Sequence, residues 1–523
     1  MNQNVTRFAL AAILVVSALV GLAGEEPKKE APKDPPPKTD ITDEAKSWSS
    51  DKYLAPPTKF RTGHVTPREL DEKALSKTDA GFVVQLPSKA PIPTPTVYKG
   101  KVYVSGGFHS KEFYCFDAET GKFVWAVNLD DDGPTAAVCD DGVALFNTES
   151  CTLFAVDAAT GKHLWSYYLG DPLTSTPTIA NGMVFTSYPA RGIGGQQMND
   201  PPALPGQPAR QPEKPNPAKE HPPCSHVLVA FDLKTGKIIW QRWIDSDVMS
   251  APVAVDDELY ATSFSGTVYK FKQKGGTILS AVKSRATSAP VIVGKDVYLT
   301  KRADDGKGPA REANASFGPD LTRQHFEAQM RDAQYLDDKV QDLAKMKAVG
   351  GALDAGNGFA GGAPAAANLN AAKGNIGQSN VSTMQAFQGS RFLCAGGQNY
   401  NCMGDELLCT DPKTGNKLWG LKLEGDLKKE GGFLAAPPAA AGGQIFLTTL
   451  KGDVLQVEPE KGKITKTYKV SGELRFQPAI EGGRIYVGTQ DGKLVCISTG
   501  DAKLTGWPCW GGNAAHTGAV EKK

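Results

Sequence analysis

"FDAETGKFVW", residues 116–125, sets an acid, a Thr-Gly-Lys turn and a tryptophan at the end of an apolar run. The arrangement returns as "VDAATGKHLW" at 156–165, "FDLKTGKIIW" at 231–240 and "TDPKTGNKLW" at 410–419. Aligned on the acid, the rows are Asp117, Gly121 and Trp125; Asp157, Gly161 and Trp165; Asp232, Gly236 and Trp240; and Asp411, Gly415 and Trp419. A threonine stands before each of these glycines. Weaker rows, Lys272 with Gly276 and Glu458 with Gly462, lack the tryptophan but keep the flanking apolar runs. The row has the chemistry of a turn. The Asp carboxylate can accept from backbone N–H groups of the Thr-Gly step, and Gly takes a positive φ at little cost. The Trp has area enough to wedge between neighbouring sheets. These Asp, Gly and Trp positions are therefore expected to be structural rather than catalytic.

Upstream of most rows lies a Pro with small neighbours, a short apolar run, a Gly or Asp turn and another run, as in "STPTIANGMVFTS" from Ser175 and "SAPVAVDDELYATS" from Ser250. Each unit reads as four short strands with β-branched and aromatic alternation. One such sheet cannot bury both faces. A period of about 40 residues with four strands per unit predicts an all-β fold, a β-propeller of four-stranded antiparallel blades stacked around an axis.

Starts at Pro95, Pro134, Pro177, Pro252, Pro290, Pro437 and Pro478 mark seven units, and "GSRFLCAGGQNYNCMGDELLCTDPKTGNKLW" from Gly389 is an eighth without the Pro. Eight blades are expected, with seven as the alternative. The unit at Pro290 must then take its remaining strands from "REANASFGPDLTRQHF". "GFVVQL" at 81–86 resembles an orphan outer strand that would complete the last blade and join the chain ends.

The propeller is assigned to residues 81–518, with two interruptions. Residues 188–225 are Pro-rich and read as an exposed excursion within the third blade. Residues 303–383 contain "TRQHFEAQMRDAQYLDDKVQDLAKMKAV", in which Phe326, Met330, Ala333, Leu336, Val340, Leu343 and Met346 recur at steps of three and four. That spacing predicts an amphipathic helix over 323–347, either docked on the propeller or presented to a protein partner. A Gly/Ala/Asn tract from Gly350 to about Gly377 follows as slack.

Residues 1–24 read as a signal peptide: Arg7, then an apolar run from Phe8 to Leu22, then small residues. Association with a membrane is expected only if this segment stays uncleaved. Residues 25–80, opening with "EEPKKEAPKDPPPKTD", read as a Pro/Lys-rich tether and leader, with folded structure beginning near residue 80. With 58 basic and 57 acidic residues the net charge is +1, which gives no electrostatic reason to expect nucleic acid. The nine cysteines are too few for a disulfide scaffold. Cys139 with Cys151, or Cys394 with Cys402 or Cys409, are close enough in sequence to pair, and free buried thiols are an equal alternative. Cys115, Cys409 and Cys496 share a row position with Ala155 and Ala230, a slot for small apolar bulk.

The D-x-x-T-G-K-x-x-W rows resemble the pyrroloquinoline quinone-type β-propeller repeat, over about 82–510, and the tail "WPCWGGNAAHTG" at 507–518 is similar to an element of secreted bacterial members. The resemblance implies one of two functions. Quinone-dependent dehydrogenases bind quinone and calcium, whereas non-catalytic propellers, such as the outer-membrane β-barrel assembly lipoprotein, bind proteins. Alcohol-oxidising members tend to carry adjacent cysteines, which this chain lacks, and C-x-x-C-H is absent. H-E-x-x-H, G-x-x-x-x-G-K-[ST] and G-x-S-x-G are absent too. Asp130, Asp131 and Asp132 read as a solvated inter-blade turn, and His221, Cys224 and His226 as part of an exposed loop rather than a soft-metal site. The expectation is an exported scaffold or protein-binding module, periplasmic or at the cell surface, with no catalytic residue and no cofactor. The alternatives are a dehydrogenase using PQQ and Ca, and a carbohydrate- or polymer-binding surface protein.

Overall fold

In the computed structural model the described residues are 39–49, 63–107, 109–148, 152–169, 176–189, 224–303, 311–332, 392–427 and 433–520. The signal-peptide reading, most of the Pro-rich excursion and the Gly/Ala/Asn tract lie outside them. The short alternating runs of the repeat become antiparallel strands joined by tight turns, and the described strands form eight sheets, the blades of one propeller. In blade 1 the four strands are Thr96–Tyr98, Lys101–Ser105, Glu112–Asp117 and Phe123–Leu129. Blades 2 to 5 begin at Val138, Thr178, Val253 and Val291, and blades 6 to 8 at Phe392, Ala439 and Ala479. The first strands stand side by side around the axis, and that of blade 8 returns to that of blade 1.

Ring closure is as the orphan strand predicts. Gly81–Gln85 pairs antiparallel with Lys493–Ser498, Phe82 facing Cys496, so the fourth strand of blade 8 comes from the other end of the chain. Closure removes two free sheet edges.

Two expectations are corrected. The helix predicted over 323–347 is, in its described part, the strand Gln324–Asp332, which pairs with Arg311–Phe317 as the outer strand of blade 5. Phe326, Ala328 and Met330 fit a period of two as well as Phe326, Met330 and Ala333 fit steps of three and four. Pairing with the neighbouring strand decides between them. The described residues 311–332, placed by the sequence reading within the 303–383 interruption, thus belong to blade 5.

The second correction concerns the leader, because order begins well before residue 80. Thr39 to Ile41 run along the outer edge of blade 4, with Lys283 N–H donating to Thr39 O at 2.8 Å and Ile41 N–H to Ala281 O at 2.9 Å. A short helix, Thr42–Trp48, follows and lies against the outer strands of blades 3 and 4. Its Ala45 and Trp48 are buried with Ile41 in the core shared by blades 2 to 4. Farther on, Gly63 exchanges hydrogen bonds with Ser166 Oγ of blade 2 at 2.9 and 3.0 Å. Val65–Arg68 then adds a fifth strand to blade 1, and Leu75–Thr78 a fifth strand to blade 8. The described parts of this leader, residues 39–49 and 63–80, therefore act as a strap along the rim that covers the outer edges of blades 8, 1, 2, 3 and 4.

Candidate functional site at the axis and the loop-bearing end

The repeated rows fasten the blades. Asp117 Oδ1 accepts from Thr120 N at 2.8 Å and Thr120 Oγ1 at 2.6 Å, and the pairs Asp157–Thr160, Asp232–Thr235 and Asp411–Thr414 repeat it. The threonine hydroxyl bond, joined by backbone N–H bonds, holds the carboxyls of Asp117, Asp232 and Asp411 below the usual range. Each tryptophan reaches into the next blade. Trp125 Nε1 donates to Ala158 O at 3.2 Å, Trp165 to Leu233 O at 3.0 Å, Trp240 to Gln273 O at 2.7 Å and Trp419 to Pro459 O at 2.9 Å. Each acceptor carbonyl follows the acid position of the next row, so the weaker rows serve as acceptors without a tryptophan of their own.

The row glycine is what lets the ring approach. At Gly236, with φ at +66°, an added Cβ would lie 2.6 Å from the Trp165 ring. Gly161 meets Trp125 in the same way, and Gly276 and Gly462 meet Trp240 and Trp419. Where the tryptophan is missing, a phenylalanine stands in: Phe82 against Gly121 and Phe326 against Gly415. Phe326, expected on a helix either docked on the propeller or presented to a partner, is thus an inter-blade wedge on a strand. Met330 is half exposed on the same strand. Leu336, Val340 and Leu343 lie outside the described residues.

At the axis the tail crosses from blade to blade. Pro508 O accepts from Val97 N of blade 1 at 2.7 Å, Trp507 O from Ile480 N of blade 8 at 2.7 Å and Ala514 O from Ile179 N of blade 3 at 2.9 Å. Ala515 O takes Ala254 N of blade 4 at 3.0 Å and Gly518 O takes Cys394 N of blade 6 at 3.1 Å. Ala519–Val520 then pairs in parallel with the first strand of blade 6. The inner strands have a free edge at the axis, and the tail supplies acceptors to five of the eight. Trp507 and Trp510 are buried, and Trp510 packs between Ala136 and Ala251. His516 lies edge-on to Trp510, ring centroids 3.8 Å apart. Neither of its ring nitrogens has a partner among the described residues, and burial pushes its pKa down to about 3.

In an antiparallel blade, the connections from second to third strand and from fourth strand to the next blade emerge at one end. The longest gaps in the described ring, 190–223 and 333–391, both leave from this end. At the other end the turns are short. Carboxylates at the loop-bearing end are tied to hydroxyls. Asp131, expected in a solvated turn, instead has its Oδ2 bonded by Thr148 Oγ1 at 2.6 Å and by Thr152, which joins blade 1 to blade 2. Asp245 takes Thr267 Oγ1 at 2.6 Å, Asp247 takes Ser187 Oγ at 2.5 Å, and Glu312 takes Thr287.

A calcium site beside a quinone needs several oxygen ligands converging on one point. Among the described residues no group of three His, Cys, Asp or Glu side chains is placed to hold a metal ion. The buried carboxylates Asp247 and Glu312 are bonded by the hydroxyls of Ser187 and Thr287. Cys224 and His226 are buried, with Ser225 Oγ 2.9 Å from His226 Nδ1, which corrects their placement in an exposed loop. His221 lies outside the described residues. Cys115, Cys409 and Cys496 share one row with Ala155 and Ala230, facing Trp or Phe across the ladder. Burial pushes each of these three thiols up to about 12, so none is a thiolate at neutral pH. Cys139, Cys394, Cys402 and Cys409 are buried and unpaired. Cys151 lies outside the described residues. No described helix is long and apolar enough to cross a membrane.

A family model described as "Outer membrane protein assembly factor BamB" matches residues 109–196, 223–313 and 404–508, together more than half of the chain. Among solved structures, BamB from Moraxella catarrhalis is similar at 15% identity and a TM-score of 0.46, over 81% of this chain and 97% of that one. The computationally designed Ika8 protein is similar at 12% identity and 0.49, over 78% and 96%. A europium-containing methanol dehydrogenase is similar at 11% and 0.48, over 84% and 86%. No curated protein matches the sequence.

Proposed function

The chain belongs to the family of the outer membrane protein assembly factor BamB, and from that membership we propose that it is an exported, non-catalytic propeller that binds a protein partner through the loop-bearing end of its ring. The observation that carries the reading is the division of labour between the two ends and the axis. The axis is crossed by Trp507–Gly518, whose carbonyls bond five blades. One end carries the tight turns and the first part of the tail, Thr499–Gly506, and the longest gaps between described strands leave from the other. A rigid scaffold that presents variable loops at one end is a general plan for binding surfaces. Asp131, Asp245 and Asp247 hold the roots of those loops to the strands beneath them, which keeps the presenting end in one arrangement. Export to the cell envelope is part of the proposal, supported by the apolar run after Arg7 and by the family's printed name.

A photocrosslinking amino acid placed in turn at Asp132, Ser265 and Gln490 of the loop-bearing end, and at Lys99, Asn181 and Lys295 of the tight-turn end, tests it in cells. The proposal expects a discrete protein adduct from the first set and none from the second. Adducts from the tight-turn end alone would refute it. Dye-linked alcohol oxidation by purified protein given PQQ and calcium would refute the non-catalytic part.

A further inference from the structure

The strap leaves part of the rim bare. Among the described residues nothing pairs with the outer edges of blades 5, 6 and 7, formed by Gln324–Asp332, Lys417–Lys422 and Ile464–Lys469. An unpaired edge presents a row of backbone donors and acceptors. The blade 7 strand is the most open. Ile464, Thr465, Lys466, Thr467 and Lys469 are all exposed, and only Tyr468 is buried. Its lysine at 466 occupies the row position of the wedge tryptophans, opposite Gln456.

This fold already shows what such an edge accepts. In blade 1 the strap strand Val65–Arg68 adds antiparallel, with Arg68 facing Ala126 and Thr66 facing Asn128. Pro67, which has no N–H, faces Val127. Ala126 and Asn128 are therefore the residues whose backbone groups point outward, and Leu129 N–H points inward to Lys111 O at 2.7 Å. Blade 7 repeats the register: Val470 N–H points inward to Gly452 O at 2.8 Å. By the two-residue alternation, the N–H and C=O groups of Thr467 and Lys469 point away from the blade. They are the counterparts of Ala126 and Asn128, with no strand beside them among the described residues.

Charge selects the occupant. Lys463, Lys466 and Lys469 line this edge, and the strand Ile464–Lys469 holds no acid. Lys469 is paired with Asp453 at 2.6 Å, and Lys466 lies over the Tyr468 ring. Lys463 and Lys466 make no ion pair among the described residues. The blade 6 edge differs, because its Lys417 and Lys422 are engaged by Glu406 at 2.6 Å and Asp405 at 3.0 Å. Lysines on an edge disfavour pairing with a second copy, which carries the same charge, and favour a strand that carries acids. We propose that the outer edge of blade 7 is a strand-addition site: an extended segment of a partner protein with alternating acidic side chains joins antiparallel beside Thr467 and Lys469 as a fifth strand. The site is separate from the loop-bearing end and stands or falls independently of that reading.

The test uses the full purified chain and a capped synthetic peptide of about eight residues alternating valine and glutamate. Hydrogen exchange of single backbone amides is the readout. At about 1 mM peptide, exchange at Thr467 and Lys469 is expected to slow by roughly tenfold, with exchange at Gly420 and Lys422 unchanged. Thr467→Pro removes one outward N–H at an edge position where proline is tolerated, so it should keep the melting temperature and lose the protection. Lys463→Glu with Lys466→Glu should weaken the effect about tenfold and allow a valine–lysine peptide to replace it. The proposal is overturned if the peptide protects neither amide, or if Thr467→Pro binds it as well as wild type does. It is also overturned if both amides are already slow in the free chain and speed up when residues 333–391 are deleted, which would make this chain the occupant. Protection that rises with protein concentration instead would make it a second copy.

Discussion

Replacing Gly236 by alanine tests the fastening of the ring at one point. The backbone at Gly236 has φ of +66°, where an L side chain costs about 1 kcal/mol. The new Cβ would also lie 2.6 Å from the Trp165 ring, and overpacking of this kind costs about 1–3 kcal/mol more. Trp165→Ala alone should cost about 3–5 kcal/mol, since the ring is 7% exposed and its Nε1 is bonded to Leu233 O at 3.0 Å. In the double variant the clash has no ring to act on, so only the backbone cost of alanine remains. The two changes should then be less than additive, by about 1–3 kcal/mol. Urea unfolding followed by far-ultraviolet circular dichroism, at equal slope for all four proteins, measures the cycle. Additivity to within about 0.5 kcal/mol would refute the contact between glycine and tryptophan as the fastening device.

Other consequences follow from the axis, the strap and the buried thiols. His516 is held neutral in the folded chain with its pKa near 3, against 6.5 when free. The unfolded chain therefore binds the extra proton between these values, and stability falls as pH drops below about 6.5. By pH 4.5 the loss from this group is about 3 kcal/mol, so His516→Phe should show a shallower fall in the urea midpoint between pH 7 and 4.5 than wild type; parallel curves would contradict it. Trp48→Ala should cost about 3 kcal/mol and raise exchange at the Ala281 and Lys283 amides, because it loosens a strap that bonds both; unchanged exchange would mean the strap is not seated by Trp48. Cys115, Cys409 and Cys496 should resist a thiol reagent at neutral pH until urea is added, and fast labelling of the native chain would contradict their burial.

What could be read from residues alone was whatever is local and repeated. The Asp-Thr-Gly turn and its tryptophan recur at fixed spacing, and their roles at Asp117, Trp125 and their counterparts follow from side-chain chemistry. The orphan strand Gly81–Gln85 was legible because it completes a pattern that breaks off near residue 498. Phe326 was misread because a few apolar residues satisfy two periods at once, and only pairing with Arg311–Phe317 distinguishes them. Trp48 and Ile41 sit in a short polar stretch with no periodicity, and their burial depends on blades far along the chain. Their signal was a tryptophan and an isoleucine flanking the acids of "ITDEAKSW". The tail has the same difficulty, since Trp507 to Gly518 takes its conformation from five blade edges and no internal ladder. Asp131 looked solvated because the hydroxyls that bind it belong to the next blade.

The central claim is that this wheel is a scaffold whose axis is occupied by its own tail. A crystal or cryo-microscopy structure of the purified chain incubated with PQQ and calcium tests it most directly. The account predicts Trp507–Gly518 crossing the axis in density, with Pro508, Trp507 and Ala514 bonded to Val97, Ile480 and Ile179. A quinone and a calcium ion seated there with the tail displaced would contradict it.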